Sequence, residues 1–300
     1  MNEIATLDRY RGCLLGLACG DAVGTTVEFS ARGSFPPVTD MVGGGPFGLP
    51  VGAWTDDTSM ALCLATSLVH VRGHDARDQM ARYVNWWQWG YLSSTGTCFD
   101  IGMTVSRALD RFRATGEPNA GSADPHTAGN GSLMRLAPVP MWFAPELAQV
   151  RAMARASSRT THAAPEALDC CEVFAELLLR ALDGAPKSEL LAAPAPEGAS
   201  ARVREIASGG YVDKPVECIA GSGYCVDALE AALWCFAGTD SFEAAVLAAA
   251  NLGDDADTTA AIVGQIAGAH YGVDGIPARW RERLVMRDEI DTLAAALFAR

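Results

Sequence analysis

Thr55, Asp56 and Asp57 open the stretch "WTDDTSMAL", and Asp255, Asp257 and Thr258 stand in "GDDADTTAAI" far downstream. A single Asp or Thr ahead of an apolar helix is ordinarily a cap: its oxygen accepts from an orphan N–H and its charge suits the positive end of the helix dipole. One cap needs one acceptor, whereas carboxylates within about 4–6 Å raise one another's pKa, a penalty that a bound cation removes. All six residues offer hard oxygens with no His or Cys interleaved. That set suits Mg2+ or Mn2+, with Ca2+ open, rather than zinc or copper, and four carboxylates suit two divalent ions. Spacing alone leaves open whether the two knots meet.

Positioning such a site requires rigid elements, and most of the chain is periodic in the helical sense. Helices are expected over 7–23, 58–72, 75–89, 104–115, 165–182, 222–236, 242–250, 257–271 and 288–299. In 58–72, for example, Met60, Leu62, Leu64, Leu68 and Val69 cluster on a 3.6-residue period. Ala and Leu dominate, and alternating β-branched runs are scarce. The expected class is therefore all-α, a compact multi-helix domain spanning 1–300, with no fixed repeat period that would mark a solenoid. The loop-like stretches 31–53, 119–131 and 184–200 read as insertions between helices.

A net charge of −13 and a pI near 4.8 argue against nucleic acid or an anionic membrane gripped through a broad basic face. The nine cysteines lack a C-x-x-C pair and read as buried thiols of a reducing compartment, including Cys13, Cys63, Cys235 and the adjacent Cys170 and Cys171. The apolar run at 13–20 is broken by Gly16 and follows acidic residues, a poor match to a signal peptide. No apolar stretch approaches the ~20 residues needed to span a bilayer. A cytoplasmic protein is expected.

With both knots in view, the chain resembles the ADP-ribosylglycohydrolases, and within them most closely the dinitrogenase reductase-activating glycohydrolase branch. The resemblance rests on "GCLLGLACGDAVGTTVEF", "WTDDTSMAL", "FDIGMT", "GNGSLMRLAPV", "THAAPEA", "GSGYCVDALEAAL" and "GDDADTTAAIVGQIAGAHYG", which cover nearly the whole chain in family order. It implies an all-α fold with a dinuclear site of two Mg2+ or Mn2+ ions, and hydrolysis of the bond joining ADP-ribose to a protein side chain. Thr55, Asp56, Asp57, Asp255, Asp257 and Thr258 would then be the metal ligands. Asp254, where relatives often carry Gly, stays outside that shell and is assigned with Thr259 to the helix end.

The remaining motifs acquire roles from the same resemblance. Asp100 in "FDIG" would otherwise read as an N-cap; the family pattern makes it the candidate catalytic group beside the scissile bond and tilts the linkage towards arginine. Met103 departs from the Asn expected in the branch, which puts one substrate contact in question. Glu28, by default a surface acid, becomes a second catalytic candidate, and Asp21 a local tether. Gly129, Asn130 and Gly131 would let a ligand approach closely, with free N–H groups at a following helix start for phosphate. His162 and Tyr224 are candidate ligand contacts, Tyr224 by stacking, and Gly43, Gly44 and Gly45 a loop near the ligand. The expected partner is an ADP-ribosylated protein, nitrogenase reductase being one such target, or an ADP-ribosylated small molecule, acted on by a monomer. Two other readings are a two-metal nucleotide phosphohydrolase and a non-catalytic scaffold, since lens crystallins resemble this family.

Overall fold

Glycine recurs every fourth residue in the first helix, at positions 12, 16, 20 and 24, and this stripe sets the architecture. A Cβ placed on these glycines would stand 2.2, 2.3, 2.0 and 2.4 Å from the carbonyl oxygens of Gly268, Gly264, Ala260 and Ala256. Two helices therefore run antiparallel in backbone contact, and an alanine on the stripe would cost on the order of 1–3 kcal/mol by overpacking. The first is α1 (Glu3–Gly24), and its partner comes much later in the chain.

The computed structural model describes residues 3–300. After α1 come α2 (Asp56–Val71), α3 (Ala76–Trp89), α4 (Met103–Thr115), α5 (Pro138–Phe143), α6 (Leu147–Arg159) and α7 (Pro165–Leu182). The series continues with α8 (Ala201–Ala207), α9 (Cys225–Ala237), α10 (Phe242–Ala250), α11 (Ala256–Tyr271), α12 (Ala278–Arg283) and α13 (Arg287–Phe298). The fold is all-α; the only β-pairings among the described residues are isolated bridges. Around the α1–α11 pair, α2, α7, α9, α10 and α13 close one hydrophobic core that buries Trp54, Trp86 and Trp280.

Each helix expected from the periodicity is present, with ends shifted by up to four residues. Four more were not expected. Three of them, α5, α8 and α12, are only six or seven residues long, and α5 starts with Pro138 and contains Pro140. The fourth, α6, buries Val150, Ala154, Ser157 and Ser158, and ion pairs join it to α7: Arg155 pairs with Asp169 at 2.7 Å and Glu172 at 3.0 Å, and Arg151 pairs with Glu176. Seven of the nine thiols are buried, but Cys218 is exposed and Cys98 half-buried, so the buried-thiol expectation does not hold throughout. No described helix is long and apolar enough to cross a membrane.

Candidate active site

The glycine seam decides what meets at its end. Because α1 and α11 are antiparallel, the last turns of α1, with Asp21, and the following Glu28 lie beside the start of α11, with Asp255 and Asp257. Asp21 then brings in α2. Its Oδ1 accepts the Thr55 N–H at 2.9 Å and the Thr55 hydroxyl at 3.0 Å, and its Oδ2 accepts the Thr58 N–H at 3.0 Å and the Thr58 hydroxyl at 2.6 Å. The tether expected of Asp21 thus serves as the cap of α2, supplied from another helix. The two acid knots meet: the Thr55 hydroxyl is 3.2 Å from Asp257 Oδ2, and the Thr258 hydroxyl is 3.2 Å from Asp57 Oδ1.

The result is a buried acid cluster. Asp56, Asp57, Asp255 and Asp257 all have pKa values raised above the usual carboxylate range, chiefly by burial and further by neighbouring acids. Burial and then Asp100 push Glu28 up to about 9, and burial and then Asp21 push Asp100 up to about 7. One oxygen each from Glu28, Asp100 and Asp257 lies within 4.8 Å of the others. Asp57 Oδ2 and Asp257 Oδ1 are buried without any hydrogen-bond partner among the described residues. Orphaned carboxylate oxygens in a pure oxygen donor set are what a hard divalent cation satisfies, so these residues fit one.

The cluster forms one wall of a cavity of about 810 Å³. Glu28, Asp56, Asp57, Asp100, Asp255, Asp257 and Thr258 line it, together with Gly129, Asn130, Gly131 and His162. Thr55 does not: it is fully buried behind the wall, where its hydroxyl faces Asp21 and Asp257. Tyr224 opens instead onto an adjacent groove of about 510 Å³, with its hydroxyl bonded to Glu166, although the groove shares Thr104, Gly129 and Gly223 with the main cavity. Met103, 65% exposed, lies on the cavity rim.

Several local assignments change. Asp100 caps nothing; Gly102 is the N-cap of α4, and Asp100 sits in left-handed backbone at φ 59° on the cavity wall. The helix-end role expected of Asp254 fails because Asp255 holds the N-cap position of α11, while Asp254 bridges loops, with its N–H to Ser30 at 2.8 Å and its carbonyl accepting Phe29 at 2.7 Å. Thr259 does stay in the first turn, its hydroxyl donating to the Asp255 carbonyl at 2.9 Å. Asn130 holds Asp255, donating from Nδ2 to Oδ2 at 2.6 Å. No helix starts directly after it, since residues 131–135 form turns before α5. The flanking glycines make room for His162: a Cβ on Gly131 would lie 2.8 Å from its Cε1, and one on Gly129 3.3 Å from its Nε2. Gly43 to Gly45 do not line the cavity; Gly44 and Leu49 exchange backbone hydrogen bonds at 2.8 Å to close a turn.

The sequence profile of the ADP-ribosylglycohydrolases matches residues 2–300. The chain belongs to the ADP-ribosylglycohydrolase family. An ADP-ribosylarginine hydrolase Tri1 from Pseudomonas putida is 47% identical over 98% of this chain and 79% of its own length. The protein of the same name from Serratia proteamaculans is 43% identical over 99% of this chain and 80% of its own length. The ADP-ribosyl-[dinitrogen reductase] glycohydrolase of Rhodospirillum rubrum is 33% identical over 94% of this chain and 92% of its length. A solved structure described as an ADP-ribosylglycohydrolase-related protein complex superposes with a TM-score of 0.88 at 46% identity, covering 99% of each chain.

Within this ADP-ribosylglycohydrolase site, three residues carry more than their sequence context suggested. Asp21 joins α1 to α2, and its only sequence cue is its place beside Gly20 of the stripe. Phe29, 68% exposed and at φ 60°, stands on the cavity wall with its ring 6.3 Å from that of Phe47. Arg135, fully buried, has no cue at all, since a lone Arg after a Met reads as surface charge.

Proposed function

We propose that this chain removes ADP-ribose from ADP-ribosylated arginine, hydrolysing the N-glycosidic bond on a protein target and reversing mono-ADP-ribosylation. The observation that carries the reading is the convergence of both acid knots with Asp100 and Glu28 on one cavity. Relatives named ADP-ribosylarginine hydrolase, similar over nearly the whole chain, support the arginine linkage. The chain would act as a single domain over 1–300 and as a cytoplasmic monomer.

Asp56, Asp57, Asp255, Asp257 and Thr258 would hold two Mg2+ or Mn2+ ions. Thr55 faces the cluster only through Asp257, so it joins the ligand set by turning its hydroxyl or by its hold on that carboxylate. Such ions supply charge neutralisation and a bound water acidic enough to ionise near neutral pH. In the reaction the anomeric C–N bond breaks, the water oxygen bonds to the anomeric carbon, and arginine leaves. Asp100, on the cavity wall beside Glu28 and Asp257, would take the proton from the water or return it to the departing guanidine. Glu28, buried against Asp100, serves as the reserve acid of that pair. Gly129, Asn130, Gly131 and His162 would contact the ADP-ribose, with Tyr224 stacking from the neighbouring groove.

The test is release of intact ADP-ribose from an arginine-ADP-ribosylated protein, with and without divalent ions, beside serine- and acyl-linked substrates. Turnover that survives exhaustive chelation would remove the metals from the mechanism. AMP or phosphate as product would point to nucleotide phosphohydrolysis instead.

A further inference from the structure

Arg135 is a buried cation without an ion pair among the described residues. Its Nη1 donates to the Gly131 carbonyl at 2.8 Å, its guanidinium lies 4.7 Å from the Tyr83 ring centre, and its Nη2 donates to the Thr161 hydroxyl at 2.7 Å. The Thr161 oxygen in turn lies 2.9 Å from His162 Nδ1.

The hydrogens along this chain can be assigned. A guanidinium only donates, so the Thr161 oxygen must accept from Arg135. If Nδ1 also donated to that oxygen, the one hydroxyl hydrogen of Thr161, which is 0% exposed, would be left without an acceptor. A buried unsatisfied donor costs about 1–3 kcal/mol. The Thr161 hydroxyl therefore donates to Nδ1, and the ring hydrogen resides on Nε2. Burial and the adjacent Arg135 charge also hold the imidazole neutral, pushing its pKa down to about 3. Nε2 lies against Gly129 and Gly131, whose missing Cβ atoms make room for the ring, and all three residues line the cavity.

We propose that Arg135 and Thr161 are positioning residues that lock His162 as the neutral Nε2–H tautomer, so that it donates to an acceptor atom of the ADP moiety in the cavity. The donor half of this proposal rests on the hydrolase reading; the tautomer half does not.

The ring nitrogens of His162 can be read directly by nitrogen NMR on the full-length protein in Mg2+, with and without ADP-ribose. The expected spectrum has hydrogen on Nε2 and a bare Nδ1, with Nε2 shifting when ADP-ribose binds. Thr161→Ser keeps the pattern. Thr161→Val removes the donor to Nδ1, populates the other tautomer and weakens ADP-ribose binding about tenfold, while calorimetric Mg2+ uptake stays at the wild-type level. Arg135→Lys, which keeps the charge and one donor, gives a smaller loss in the same direction, and Thr161→Val decides the matter if that variant fails to fold. Hydrogen on Nδ1 in a wild-type protein that binds ADP-ribose would overturn the positioning role alone. A Thr161→Val protein with unchanged tautomer and affinity would do the same. A wild type with the assigned tautomer but no affinity for ADP-ribose would overturn the donor role together with the hydrolase reading.

Discussion

Two helix starts bear nearly the same letters, Thr-Asp-Asp-Thr at α2 and Asp-Ala-Asp-Thr at α11, yet they are held by different means. Neither N-cap residue, Thr55 or Asp255, uses its own side chain as a cap. At α2 the capping is done by a carboxylate from outside, Asp21, which accepts the N–H groups of Thr55 and Thr58. Among the described residues no side chain caps the start of α11 in this way; Asp255 instead accepts from Asn130 with its side chain and donates its N–H to the Gly221 carbonyl. Delegating the cap to Asp21 leaves Asp56 and Asp57 free to face the cavity, and at α11 the buried, repelling acids stay in place because the glycine seam holds the backbone there.

The largest effects are expected at the orphaned oxygens of Asp57 and Asp257. Asp57→Ala and Asp257→Ala should each abolish calorimetric Mg2+ or Mn2+ uptake and lower turnover at least ~100-fold, while the metal-free variants unfold at higher denaturant than the wild type because repulsion is relieved. Unchanged metal titration in both would end the metal-ligand reading. Asp21→Ala should reverse that signature, lowering metal-free stability by roughly 2–4 kcal/mol through loss of the α2 cap and its charged hydrogen bonds. Asn130→Ala should scarcely change unfolding yet weaken metal uptake about 10–100-fold, as loss of an outer-shell contact does.

Acidity sharpens the contrast further. Asp21, Asp100 and Glu28 have folded pKa values near 6, 7 and 9, all raised from those of the unfolded chain. The unfolded state therefore binds fewer protons, and the stability of chelated protein should be full below about pH 4 from these groups and fall as pH rises towards 9. Divalent ions should flatten that slope, and thermal melts across pH with and without chelator would show it; a chelated protein that gains stability over this range would contradict the buried cluster. The smallest effect is expected at Asp254, whose φ of 56° suits glycine. Asp254→Gly should raise stability by up to about 1 kcal/mol and leave metal uptake unchanged, setting it apart from Asp255 in a calorimetric titration.

Much of this site could be read from residue types. The long helices followed from apolar periodicity, whereas α6 escaped because the face it buries, Val150, Ala154, Ser157 and Ser158, keeps helical spacing but consists largely of small and polar residues. Asp100 and His162 were identifiable only through family motifs. Their local contexts, an Asp two residues ahead of Gly102 and a His three residues ahead of Pro165, are equally those of ordinary loops and helix starts. Arg135 could not be identified, because burial of a charge is a property of what packs around it.

By itself the sequence determined the all-α class, the two oxygen-rich knots and the donor chemistry they offer, since these depend on periodicity and on the identity of side-chain atoms. Only the tertiary structure decided that the knots share one wall, that Asp21 caps α2 from α1, and that Thr55 and Tyr224 stand off the main cavity. The physical reason is the close approach of α1 and α11: four glycines spaced one helical turn apart state that some partner comes near, but only the folded chain shows which carbonyls they meet.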